Sequence, residues 1–149
     1  MKLQQKTLEK LRDLITHETE YRSGPKLVAF FNSLGGHDVY GQGFPSRWVY
    51  VDSKLTPING TADLDRCILK LLSPVNFVGK IEELDKILVD FNQYLAFDGW
   101  KLVRSGKDIT FQKATDKDFE TKVELKEDDF LNKEFSEIPL NKLGLNDAL

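Results

Sequence analysis

At 149 residues the chain is one domain's worth of sequence, long enough to bury a core without disulfide or metal staples. With 21 Lys/Arg against 24 Asp/Glu its net charge is −3, which argues against a protein that grips nucleic acid over its whole surface. A lone Cys67 excludes an intramolecular disulfide framework and a multi-cysteine zinc site. No run of about twenty apolar residues offers a membrane span, and the charged start MKLQQKTLEKLRD lacks the apolar stretch of a signal peptide. A soluble, cytoplasmic protein is the expectation.

The first helix is expected over residues 3–22, where Leu8, Leu11, Leu14 and Ile15 form a modest apolar stripe. Ser23-Gly24-Pro25 ends it, and Pro25 is well placed to open a second helix, because a helix's first turn does not need the missing N–H. Leu27, Phe30, Phe31 and Leu34 give that helix its apolar face, and Gly35-Gly36 stops it. From His37 the helical period is lost. The Gly- and Pro-containing HDVYGQGFPSR reads as an irregular connection. Arg47-Trp48-Val49-Tyr50-Val51 alternates aromatic and β-branched residues, so a short strand is expected there. Asp63 is the expected N-cap of a third helix, whose Leu64, Ile68, Leu71 and Leu72 point inward and which Ser73-Pro74 closes.

The clearest unit is residues 81–113. Ile81, Leu84, Leu88, Phe91 and Leu95 share one face of a helix, widened by Ile87 and Tyr94. Asp98-Gly99 ends it, and the apolar period then changes from 3.6 to 2. Trp100 and Leu102 precede Ser105-Gly106, and Ile109 and Phe111 follow, which predicts a two-residue hairpin pairing Leu102 with Ile109 and Trp100 with Phe111. Beyond Ala114, residues 119–125 alternate like an edge strand and 127–135 could turn helically. Residues 1–114 carry 16 Lys/Arg against 14 Asp/Glu, whereas 115–149 carry 5 against 10, so a near-neutral body ends in an acidic extension. The expected fold is therefore α+β. It has about four helices, a C-terminal hairpin of two strands, or three if 47–51 joins it, a winged-helix-like outline and an acidic tail.

Four groupings of polar residues bear on chemistry. Arg12 and His17 in RDLITH have the spacing of the ribonuclease motif in HEPN domains, where both side chains attend a phosphodiester. So short a pattern arises readily by chance, no partner helical bundle accompanies it, and it is read as coincidence. Gly35-Gly36 and Gly41-Gln42-Gly43 lack the strand before and helix after that a phosphate-cradling loop requires, and are read as a connector. Arg47, Trp48 and Tyr50 together could meet a ligand or partner. Arg104 and Lys107 are expected to face each other across the hairpin tip, where like charges are unfavourable, as in a wing that touches phosphates. Cys67 reads as a small buried hydrophobe. No Ser elbow, Cys/His ligand set or cofactor fingerprint is present, so no catalytic residue, metal or cofactor is assigned.

The order of features resembles a known family. Pro45-Ser46-Arg47, then Trp48-Val49-Tyr50-Val51-Asp52, then Ser73-Pro74, and finally Asn92 through Leu102 (NQYLAFDGWKL) are similar to the N-terminal domains of bacterial abortive-infection proteins of the AbiJ type. The likeness spans roughly residues 20–112 and is best over 88–102. It is looser in the Gly-rich 35–43 stretch, and it excludes the tail. It implies a non-catalytic accessory module, 1–114, that senses a phage-derived protein or nucleic acid, or another partner, and controls an attached effector, often a HEPN ribonuclease. Residues 115–149 would lead toward that effector, which implies a longer native protein. The residues expected to make contact are Arg47, Trp48, Tyr50, Arg104 and Lys107. The alternative is a winged-helix-like nucleic-acid binder using the 100–113 hairpin. No membrane contact is expected, and homo-oligomerisation stays open.

Overall fold

The computed structural model describes residues 1–118, and the chain divides into two compact units, Met1–Lys113 and Ala114–Leu149. The expected strand at 119–125 and the helical turns at 127–135 lie outside the described residues. Unit one is α+β: helices α1 (Gln5–Asp13), α2 (Gly24–Asn32), α3 (Arg47–Ile58), α4 (Ala62–Leu71) and α5 (Ile81–Leu95), then an antiparallel hairpin of β1 (Trp100–Ser105) and β2 (Asp108–Lys113). Helix α1 lies against both α3 and α5, and β1 lies against α5. Leu11, Ile15, Leu27, Val51, Leu55, Leu64, Ile68, Leu84, Phe91 and Leu95 meet in a single apolar core. No helix among the described residues is long and apolar enough to cross a membrane.

Three expectations need correction. Residues 47–51 are the first turn and a half of α3, not a strand. The alternation of Trp48 and Tyr50 against Val49 and Val51 is real, but the apolar period continues as Val51, Leu55 and Ile58. Those steps of four and three bury one face of a helix. The sheet therefore has two strands, and Tyr50 and Val51 face the core while Trp48 and Val49 are exposed. Second, Thr61, not Asp63, caps α4, its hydroxyl accepting from the Asp63 N–H at 3.2 Å. Third, the hairpin pairs Leu102 with Phe111 and Arg104 with Ile109, so its loop is Gly106-Lys107. Only Gly106 of those two has positive φ, +62°, as a type II′ turn requires. Moving the turn by one residue keeps Leu102, Ile109 and Phe111 on one face, so the intended apolar side survives.

The hairpin is fastened to α5 at two points. The pair flanking a two-residue loop is hydrogen-bonded and the pattern then alternates, so the Leu102 N–H and C=O turn away from β2. Asn92 satisfies both: its Nδ2 donates to the Leu102 carbonyl and its Oδ1 accepts the Leu102 N–H, each at 2.8 Å. The second point is Arg104, whose Nε and Nη2 donate to the two carboxylate oxygens of Asp85 at 2.6 and 2.8 Å. Asp85 and Asn92 are seven residues apart and so share a helical face.

Asn92 is 9 % exposed, so removing its amide leaves two backbone groups without partner or ready water. Asn92→Ala is expected to lower unfolding free energy by about 2–4 kcal/mol. Urea denaturation checks this, with the exposed Lys86→Ala within about 0.5 kcal/mol of the parent as control.

Candidate functional site

Helix α1 does not end normally. After Asp13 the chain widens into a π turn over Leu14–Glu18, a feature that often accompanies functional sites. Widening frees carbonyls that an α-helix would have used, and each finds a donor. The Thr19 N–H and hydroxyl both reach the Leu14 carbonyl, at 3.1 and 2.7 Å. Arg22 Nη1 donates to the Ile15 carbonyl at 2.9 Å, and the Arg22 N–H to that of Thr16 at 3.0 Å. Arg47 Nη2 also donates to Thr16 O, at 2.6 Å, while its Nε donates to the Arg22 carbonyl at 2.8 Å. Two guanidinium groups thus occupy the carbonyl end of the first helix, where positive charge is favoured. Burial lowers the pKa of Arg22, partly opposed by Glu20.

The π turn also brings distant sequence positions together. Five residues apart on an α-helix, Arg12 and His17 would point some 140° apart. Here both line one open cleft of about 450 Å³ with Asp13, Thr16, Arg47 and Trp48. Trp48 is 55 % exposed at the start of α3, with the Arg12 guanidinium 5.5 Å from its ring centroid. Tyr21, 63 % exposed, lies under the Arg47 guanidinium at 4.2 Å. Arg12 is held loosely: Nη1 to Asp52 at 3.2 Å and Nε to Asp13 at 3.4 Å, single contacts rather than a fork. The Thr16 hydroxyl donates to the Asp13 carbonyl at 3.3 Å and lies 3.0 Å from His17 Nδ1. Which of the two takes the hydroxyl hydrogen follows the imidazole tautomer.

The residues expected to make contact divide sharply. Arg47 and Trp48 line the cleft. Tyr50 does not: it is 6 % exposed and donates its hydroxyl to Asp38 at 2.7 Å, and burial with that bond raises its pKa. Arg104 does not face Lys107 across a strand pair; it is bound to Asp85 and to the Gly106 carbonyl, and Lys107 sits exposed in the loop. Arg12 and His17, set aside as a chance pattern, are the residues the fold gathers around Trp48.

Elsewhere, Lys10 is buried between Glu18 and Asp90. Burial works against its charge, but the two carboxylates outweigh it and hold the ammonium above its usual value. Cys67 is buried, and desolvation pushes its thiol up to about 12, which leaves it inert at neutral pH. A smaller cleft of about 350 Å³ runs between α1 and α5, lined by Gln4, Lys6, Thr7, Gln93, Tyr94 and Phe97. It offers amides but a single cation, so the Arg12–Trp48 cleft, with several convergent polar groups, is the stronger site. No group of His, Cys, Asp or Glu among the described residues is placed to hold a metal ion. Comparisons of the chain with protein families, with characterised proteins and with solved structures give no match.

Two carboxylates give the fold an acid-sensitive contribution. Asp38 is held below the usual value by hydrogen bonds from Lys54 and Tyr50, and Asp85 by its hydrogen bond with Arg104. A depressed folded pKa means that the unfolded chain takes up protons first. The stability these groups contribute is therefore intact above the ordinary value of 3.8 and lost as pH falls through the folded values. Melting temperature measured from neutral pH downward should drop below about pH 4, and an Asp38→Asn/Asp85→Asn variant should start lower and fall less steeply.

Proposed function

We propose that residues 1–113 are a non-catalytic recognition module of a cytoplasmic abortive-infection protein. It binds a phage-derived trigger or a partner at the Arg12–Trp48 cleft and controls an attached effector. The observation that carries this reading is the exposed Trp48, set on a rigid π-turn frame between one arginine committed to backbone carbonyls and one loosely held. Exposed Trp, Tyr and Arg on a preorganised frame are the residue types that dominate recognition energetics. The order of Pro45-Ser46-Arg47, Ser73-Pro74 and Asn92–Leu102 supports the family side of the proposal. Arg104, committed to Asp85, withdraws support from the alternative of a phosphate-gripping hairpin wing.

The full-length protein, expressed in bacteria challenged with phage, is expected to suppress plaque formation, and Trp48→Ala to restore it without lowering the melting temperature. Restriction undiminished in Trp48→Ala would remove the cleft from recognition, and no restriction by the parent would remove the defence reading. The purified chain is also expected to leave single-stranded RNA intact. Cleavage that disappears in His17→Ala would overturn the non-catalytic assignment.

A further inference from the structure

We infer that the cleft lined by Arg12, Thr16, His17, Arg47 and Trp48 binds a mononucleotide, its base stacked on the Trp48 indole and its phosphate on the Arg12 guanidinium. The inference rests on the reading of this cleft as the recognition site, and names the chemical class of what it recognises.

Arg12 and Arg104 make the argument by contrast. Arg104 grips Asp85 through two bonds of 2.6 and 2.8 Å, a fork that a ligand cannot displace cheaply. Arg12 touches Asp52 and Asp13 through one long bond each, 3.2 and 3.4 Å, so neither carboxylate grips it in a fork. A phosphate offers several strong acceptor oxygens to the same guanidinium and outcompetes such contacts. Arg47 has Nε and Nη2 committed to carbonyls, and only Nη1 is left for a ligand. Its charge faces backbone dipoles, not a carboxylate, so it keeps its pull on an anion.

The remaining groups suit the rest of a nucleotide. Trp48 keeps 55 % of its surface exposed although Arg12 lies over the ring, which leaves indole surface for a base to stack on. The His17 imidazole and the Thr16 hydroxyl both line the cleft and can meet sugar hydroxyls or base edges. A volume of about 450 Å³ accommodates one such unit. A strand of nucleic acid fits less well. Asp13 lines the cleft and Asp52 is paired with Arg12, so a polyanion running past would meet carboxylates.

Calorimetric titration of the full chain with adenosine monophosphate, adenosine, inorganic phosphate and a short single-stranded RNA tests the assignment. Adenosine monophosphate is expected to bind, with adenosine and phosphate each weaker by about tenfold or more. Trp48→Ala and Arg12→Gln should each weaken it by about tenfold. Asp52→Asn should tighten it several-fold, because it releases the guanidinium from its competitor. That variant separates binding from folding, since Arg12→Gln and Asp52→Asn break the same ion pair and would move together if Arg12 were only structural. No heat with adenosine monophosphate, RNA binding more tightly than the mononucleotide, or a weaker Asp52→Asn complex would each overturn the inference. Loss of phage restriction in Trp48→Ala alongside a chain that ignores nucleotides would sink the nucleotide and leave the recognition reading standing.

Discussion

The structure of the cleft depends on where the carbonyls of one π turn go. At the end of the π turn Leu14–Glu18, the Leu14 oxygen takes the Thr19 N–H and hydroxyl, while the Ile15 and Thr16 oxygens need donors from beyond the turn, a cost that buried backbone cannot carry uncompensated. Thr19, Arg22 and Arg47 supply the donors, and the last comes from a helix some thirty residues on. Because Arg47 must reach Thr16 O, the start of α3 is drawn against the end of α1, and Trp48, the next residue, is delivered to Arg12 and His17. The geometry of the site is thus a consequence of satisfying backbone.

The hairpin answers a different constraint. Two strands alone are marginal in water, so β1 and β2 need an outside partner. Helix α5 provides it by acting as a third strand at one residue: the Asn92 amide offers Leu102 the donor and acceptor a neighbouring strand would have offered. Asp85, two turns earlier on the same face, takes Arg104. The run from Asn92 to Leu102 therefore has a mechanical meaning in this chain. It contains both halves of the clasp that seats the hairpin, joined through the left-handed Gly99, φ +85°.

Legibility followed the strength of local periodicity. Helix α5 and the hairpin could be read because five apolar residues at helical spacing give way abruptly to alternation, and Gly99 marks the boundary. The turn was misplaced by one residue because Ser-Gly and Gly-Lys both suit a tight turn and the apolar faces agree with either. Helix α3 was misread at Arg47–Val51 because aromatic and β-branched residues favour strands locally. The evidence for a helix lay farther on, at Leu55 and Ile58, past the window that looked decisive. The π turn left no signal at all. Nothing in Leu-Ile-Thr-His-Glu demands it, and the donors that make it stable sit on Arg22 and Arg47, so it is decided by tertiary contacts.

That hidden turn explains why the basic residues sorted differently in space than in sequence. Arg47 and Arg104 looked like surface charges near aromatic residues or a loop tip, yet both are mainly consumed by the fold, one by carbonyls and one by a carboxylate fork. Arg12 looked like half of a chance motif and is held at the cleft by single bonds to Asp52 and Asp13 rather than by a fork. A charge is available to a ligand in proportion to how poorly its own protein satisfies it, and sequence cannot report that quantity. Asp52 is the residue that sets it here. It lies on α3, a turn beyond Trp48, so the helix that presents the stacking surface also carries the carboxylate restraining the arginine above it. The Arg12–Asp52 ion pair is one of the ties between α1 and α3, so an anion that drew Arg12 away from Asp52 would loosen it. Such an anion would couple the cleft to the packing of those two helices through a single ion pair.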